Sequence, residues 1–385
     1  MIRFEQLPEL SLYIHLPWCI RKCPYCDFNS HESRGEIPEE TYINALIADL
    51  EASLPMVWGR PVISIFMGGG TPSLFSPSAI ARLLSEIRAR VKLLPGAEIT
   101  LEANPGTFEI ARFEGFAKAG VNRLSIGVQS FDNTQLATLG RVHDRDQALQ
   151  AVELALNIFP RVNLDLMFGL PAQSPEALTQ ELDTAIQTGV KHLSCYQLTM
   201  EPGTRFAVKP PQGLPNEDVL ADMQLLVVET LARTGLQRYE ISAFAVPGQE
   251  CQHNLNYWTF GDYLGIGAGA HGKISFADRI VRTQKVKNPG AYMEWIATGA
   301  SPPRDDVAVN ELPFEFMLNA LRLSQGVPAS RWQQATGMGI GEHPFLLDRI
   351  GRAQALGLLE RSPGRFQATP RGLELLSDLQ ALFLK

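Results

Sequence analysis

From residue 10 to about 200, short β-branched, apolar runs alternate with longer stretches whose apolar positions recur at helical spacing. The runs at 10–16, 62–67, 98–103, 123–129, 162–168 and 192–199 each stay apolar on at least one face. That is the pattern of parallel strands buried under helices. Between them, 39–54, 78–91, 110–119, 145–158 and 175–188 read as amphipathic helices. Ser76 or Ser78 stands where the second helix needs a cap, and Gly120 and Gly189 stand where helices end. Strand–helix alternation repeated six times predicts an α/β fold with a parallel sheet and right-handed crossovers. Six units fall short of the eight that close a full barrel, so a partial (β/α)6 barrel fits the count.

The pattern changes after a further helix at 217–234. Residues 236–305 read as a small connecting α+β segment, with strand-like runs at 239–244 and 280–285 and a glycine-rich loop at 265–272. The remainder, 306–385, holds helical patterns at 312–324, 329–336 and 344–355. A hairpin of 358–361 and 366–369 about a turn at 362–365 follows, then a closing helix at 371–384. Helices followed by a short hairpin predict a winged-helix-like module. The expected divisions are therefore 1–235, 236–305 and 306–385.

Composition narrows the function. A net charge of −7 and a 45% hydrophobic, 19% charged chain of 385 residues suit a globular protein with a large core. They argue against nucleic acid or an anionic membrane as the main partner. Arg349, Arg352, Arg361, Arg365 and Arg371 in the tail are scattered rather than gathered on a recognition helix. Two glutamates and a proline interrupt the first ten residues before an apolar leader can form. Elsewhere apolar runs break well short of the ~20 residues that span a bilayer. Five cysteines, three of them within eight residues, do not make a disulfide framework. They suggest a reducing compartment, the cytoplasm by default, and a metal–thiolate site.

That site lies just after the first strand, in Cys19-Ile-Arg-Lys-Cys23-Pro-Tyr-Cys26. Three thiolates on one loop suit a [4Fe–4S] cubane and leave one iron open for another ligand. Zinc is the competing reading, with Asp27, His15 or His31 as the fourth ligand. Glycines, prolines and polar residues collect after the other strands too, at the strand ends where ligands bind in such folds. Gly68–Gly70 would form either a tight turn or a cradle for a ligand. Glu102, Gln129, Arg141 and Asp165 stand at or just past strand ends; taken singly, each is more often a structural partner than a ligand contact.

The cysteine spacing, on a six-unit α/β chain, resembles the radical S-adenosylmethionine enzymes. Flanking residues sharpen the likeness: Tyr13-Ile-His15-Leu-Pro17-Trp-Cys19, Cys23-Pro24-Tyr25-Cys26-Asp27-Phe28, Gly68-Gly69-Gly70-Thr71-Pro72-Ser73, Gly127-Val128-Gln129-Ser130-Phe131, Gly140-Arg141 and Asp165–Pro171. With Glu201-Pro202-Gly203-Thr204 they resemble the coproporphyrinogen dehydrogenase-like (HemN-like) branch, in the same order. The resemblance implies a [4Fe–4S] cluster on Cys19, Cys23 and Cys26. It also implies S-adenosylmethionine held by Tyr13, Tyr25, Gly69, Glu102, Gln129, Arg141 and Asp165. Gly70 and Thr71 match positions that hold a second S-adenosylmethionine in the dehydrogenase.

Within that branch two departures matter. The dehydrogenase pattern carries a further cysteine two positions after the third ligand, where this chain has Phe28, and a longer segment before the first strand. Both point towards the HemW-type haem chaperones. His253-Asn254-Leu-Asn-Tyr257-Trp258 matches the H-N-x-x-Y-W motif of that type. From the residues alone, His253 caps a helix and Tyr257 and Trp258 fill a core. The resemblance instead implies that His253 ligates haem iron, with Cys251 and His271 ranked behind it. It further implies haem and an acceptor haemoprotein as partners, with an electron donor such as a flavodoxin or ferredoxin. Oxygen-independent coproporphyrinogen III dehydrogenation is the alternative activity.

Overall fold

The computed structural model describes residues 2–299, 303–362 and 364–385. Six strands form where the apolar runs place them: β1 (Leu10–Leu16), β2 (Pro61–Gly69), β3 (Lys92–Ala103), β4 (Arg123–Gln129), β5 (Arg161–Phe168) and β6 (His192–Gln197). They pair in chain order and in parallel. β3 reaches back to Lys92 because Pro61 and Val62 extend β2 far enough to pair with Lys92 and Leu93.

Helices α1 (Glu39–Val57), α2 (Pro77–Arg90), α3 (Phe113–Ala119), α4 (Arg145–Ile158), α5 (Pro175–Gln187) and α6 (Glu217–Arg233) return the chain between strands or follow them. Their apolar faces supply Leu46, Leu50, Leu83, Leu84, Phe113, Phe116, Leu178 and Leu182 to one core shared with the sheet. Each such side chain contributes about 1.5–3 kcal/mol by leaving water. Ser76 makes the cap of α2, its Oγ accepting from the Ala79 amide at 3.2 Å. Gly120 ends α3 in the left-handed conformation. α4 starts with a reciprocal capping box of Asp144 and Gln147.

The sheet does not stop at six strands. Residues 236–305 add to both of its edges. On the far side of β6 come β7 (Gln237–Arg238) and β8 (Ala243–Ala245), β8 pairing antiparallel with β6. Beside β1 comes β9 (Asp262–Ile266), parallel to it, then β10 (His271–Ser275), β11 (Ile280–Gln284) and β12 (Arg304–Asp306), all antiparallel. The glycines of 265–272 hid β9 from the sequence pattern. Gly265 has a packing reason: a Cβ there would collide with the His271 carbonyl oxygen. Buried charges fasten this edge to the barrel. Lys273 donates to Asp262 at 2.8 Å and Arg60 reaches the same carboxylate at 2.8 Å, while Lys285 pairs with Asp49 of α1.

A short helix α7 (Gln252–Trp258) precedes β9. The tail packs α8 (Leu312–Ala320), α9 (Ser330–Thr336) and α10 (Pro344–Ala355) around a second core that includes Phe316, Trp332, Leu346 and Phe383. The expected wing is reduced to a Leu359–Ala368 bridge, and its turn includes Pro363, which lies outside the described residues. Val327–Pro328 pairs with Arg365–Phe366 beside it. The closing helix breaks at Leu375 into Pro370–Glu374 and Leu376–Ala381. Among the described residues no helix is long and apolar enough to cross a membrane.

Candidate functional site

Side chains alternate along a strand, so every second residue of each parallel strand faces the inside of the partial barrel. On β4 these are Arg123, Ser125, Gly127 and Gln129; on β5, Asn163, Asp165 and Met167; on β6, Ser194 and Tyr196. All of them line a cavity of about 410 Å³, with Glu102 from β3 and Cys19, Cys23 and Cys26 from the loop after β1. Interior positions that should be apolar in a packed barrel are polar here, which marks a ligand site. The same alternation was present in the sequence and would have found Asn163, Ser125, Ser194 and Tyr196, which the motifs passed over.

The cysteine loop is held from several sides. Trp18–Cys19 pairs with His31–Glu32, and Lys22 Nζ donates to the Phe28 and Ser30 carbonyls at 3.0 and 3.2 Å. Gly70 and Thr71 amides donate to the Leu16 and Trp18 carbonyls at 2.9 and 2.7 Å. The three thiols are half-buried and form no disulfide among the described residues. Arg141 points Nη1 at Cys23 Sγ across 3.5 Å and donates through Nη2 to Asn104 Oδ1 (2.5 Å) and the Gly127 carbonyl (2.7 Å). Among the described residues its buried Nε has no partner, which leaves an open donor beside the loop. Burial, with the neighbouring cysteines adding to it, pushes the Cys19 thiol up to about 11, so a positive metal centre is what would draw off its proton. Among the described residues, no three His, Cys, Asp or Glu side chains gather to share one metal ion. A cubane asks for less convergence, because each cysteine takes its own iron. These donors fit an iron–sulfur cluster better than zinc. His15, a fourth-ligand candidate, donates through Nε2 to the Asn29 carbonyl and accepts at Nδ1 from Tyr13.

The polar wall opposite is tuned by burial. Glu102 accepts from the Gly69 amide at 3.2 Å. Burial and the nearby Asp165 charge push its pKa up to about 8, so a cationic ligand group beside it would restore the carboxylate. Asp165 accepts from Asn163 (2.8 Å) and Ser125 (3.3 Å). Gln129 holds φ at 70°, a left-handed conformation unusual for a residue with a side chain, at the β4–β5 register shift. Tyr25, Gly69, Gly70 and Thr71 line the same cavity. Tyr13, expected among them, does not.

Tyr13 faces a second cavity of about 650 Å³, to which the H-N-x-x-Y-W motif contributes Tyr257 and Trp258. Its walls include Tyr257, Trp258, Tyr263, His271, Arg282 and Lys287, and it shares Phe28, Gly69 and Glu102 with the first. Its residues come from segments far apart in the chain, so no local period could reveal it.

His253 lines neither cavity and is 1% exposed. The Ser64 hydroxyl donates to Ser11, so it accepts from His253 Nδ1–H at 3.0 Å, and Tyr257 OH donates to Nε2 at 3.0 Å. Both ring nitrogens are engaged within the protein, which leaves none for iron. Burial, with Arg123 behind it, holds the His253 pKa down at about 3. The ring stays neutral in the fold while the unfolded chain protonates near pH 6.5. Its stabilising contribution is therefore whole above pH 6.5 and is lost as pH falls towards 3. His253→Asn is expected to remove about 2 kcal/mol of the stability lost between pH 7 and pH 5, read by urea denaturation at both. An unchanged slope would contradict the buried, neutral ring.

An open (β/α)6 barrel with three cysteines on the loop after its first strand defines a radical S-adenosylmethionine protein, and residues 13–185 match the Radical SAM superfamily. That superfamily implies a [4Fe–4S] cluster and S-adenosylmethionine. Residues 307–375 match the HemN C-terminal domain. The chain is 47% identical over 381 residues, 98% of its length and 99% of the other's, to Heme chaperone HemW of Escherichia coli (strain K12). It belongs to the HemW family of haem chaperones. A mouse relative, the mitochondrial Radical S-adenosyl methionine domain-containing protein 1, is 39% identical over 335 residues, 84% of this chain and 75% of its own. The solved structure of coproporphyrinogen III oxidase (HemN) from Escherichia coli shares the fold, with a TM-score of 0.82 at 24% identity over 98% of this chain and 90% of that one.

Proposed function

We propose that this chain is a cytoplasmic haem carrier. It takes up haem, holds it beside a [4Fe–4S] cluster on Cys19, Cys23 and Cys26 with S-adenosylmethionine, and passes it to an acceptor haemoprotein. The observation that carries this reading is the second cavity, lined by Tyr257, Trp258, Tyr263 and exposed Lys287, with Arg282 held by Glu315, and sharing Phe28, Gly69 and Glu102 with the cysteine cavity. Aromatic faces suit a flat macrocycle and cations suit its carboxylates.

When bound, the cluster and S-adenosylmethionine supply one-electron chemistry, fed by a donor such as a flavodoxin or ferredoxin. Arg141 would stabilise the Cys23 thiolate, and the Gly69 amide, positioned by Glu102, would lie along the methionine end of the cofactor. Gln129 and Asp165 supply polar contacts deeper in the barrel. Phe28, 61% exposed at the junction, puts an unreactive ring where the dehydrogenase pattern has a thiol.

Titrating the purified chain with haemin should give a Soret band that saturates near one equivalent. Adding apomyoglobin should then move the band to that of myoglobin. A chain that takes up no haem would sink the proposal.

A further inference from the structure

We propose that haem sits in the second cavity and that His271, rather than His253, offers its iron a nitrogen. The inference rests on the haem-carrier reading and assigns the seat that reading leaves open.

Two histidines line the cavity. His15 is engaged at both nitrogens, by Tyr13 OH at 3.0 Å and the Asn29 carbonyl at 2.8 Å. His271 is exposed, and among the described residues its imidazole has no hydrogen-bond partner. It opens β10, where alternate side chains share a face, so His271 and Lys273 point the same way. Lys273 stands in register with Tyr263 on one side and Arg282 on the other. All four residues line the cavity. This face of the added sheet edge therefore presents an imidazole, a tyrosine ring and Arg282, and exposed Lys287 adds a further cation to the cavity lining. A volume of about 650 Å³ lies within the roughly 300–1,000 Å³ of small-molecule and cofactor sites.

The arrangement also gives the His253–Trp258 motif a use. Tyr257 and Trp258 form part of the wall, and Tyr257 packs edge-on to Tyr263 with ring centroids 4.5 Å apart. His253 holds the Tyr257 hydroxyl from behind. It is a positioning residue, and its loss should weaken haem binding without changing what ligates the iron.

Haem-loaded protein read by absorption and electron paramagnetic resonance separates these roles. His271→Ala should lose the imidazole-ligated spectrum and bind haem at least tenfold more weakly. His271→Gly should regain that spectrum on addition of free imidazole, which a merely structural role would not produce. His253→Asn should keep the wild-type ligand spectrum at reduced affinity. An unchanged spectrum in His271→Ala, or loss of the imidazole signature in His253→Asn alone, would overturn the assignment. Absence of haem uptake by the wild-type chain would instead remove the carrier reading on which it rests.

Discussion

Replacing Cys19, Cys23 or Cys26 by alanine is expected to abolish cluster assembly while the fold survives. Each thiol is half-buried and free of disulfides, its polar contacts are long (Arg141 to Cys23 at 3.5 Å, Ser30 to Cys26 at 3.6 Å), and none belongs to either main core. The loop keeps its backbone ties through Gly70, Thr71 and Lys22 in every variant. Removing one small, half-buried side chain should therefore move stability by no more than about 1 kcal/mol. Ligation is another matter. A cubane with three protein thiolates already leaves one iron open, and two thiolates leave a second iron without a protein ligand. Iron and sulfide content after anaerobic reconstitution should fall to background in each variant, with the melting temperature little changed. Wild-type iron content in any of the three would show that this cysteine is not a ligand.

Gly70→Ala should disturb both stability and cofactor loading, for a geometric reason. A Cβ at Gly70 would stand 2.5 Å from the Trp18 carbonyl oxygen and 2.7 Å from the Pro17 carbonyl carbon. Those are backbone atoms of the cysteine loop, so no side-chain rotation relieves the clash. Either Gly68–Thr71 or Leu16–Cys19 must shift, and with it the Gly70–Leu16 and Thr71–Trp18 hydrogen bonds. Overpacking typically costs about 1–3 kcal/mol, and each lost bond adds roughly 1 kcal/mol. A loss of about 3 kcal/mol by urea denaturation is expected, together with reduced cluster occupancy. Gly35→Ala is the control: among the described residues nothing lies within 4 Å of a Cβ there, and it should match the parent. Equal behaviour of the two variants would show that Gly70 is no cradle.

Much of this architecture was legible before any coordinates. Strands buried on both faces read as continuous apolar runs, so β1 to β6 fell near their places. Three cysteines within eight residues point to a metal–thiolate site, and the flanking motifs, by resemblance, to an iron–sulfur cluster rather than zinc. What escaped was non-local. β9 reads as a glycine loop because Gly265 is selected by contact with the His271 carbonyl rather than by strand propensity. Its presence beside β1 puts Gly265 opposite Tyr13 in register, and Tyr13 faces the second cavity instead of the first. The histidine of the His253–Trp258 motif reads as a ligand through its resemblance to the H-N-x-x-Y-W motif; the residues alone read as a helix cap and core aromatics. Only its partners, Ser64 from β2 and Tyr257 one turn along, show a ring with no nitrogen to spare.

Haem carriage and porphyrinogen oxidation predict different products from this fold. They are told apart by one anaerobic experiment on cluster-loaded protein with S-adenosylmethionine and a reductant. Coproporphyrinogen III and haemin are supplied in parallel, and the porphyrin products and bound haem are both quantified. Stoichiometric haem uptake with no protoporphyrinogen formed is the expected result. Protoporphyrinogen formed over many turnovers, with no stable haem complex, would contradict it.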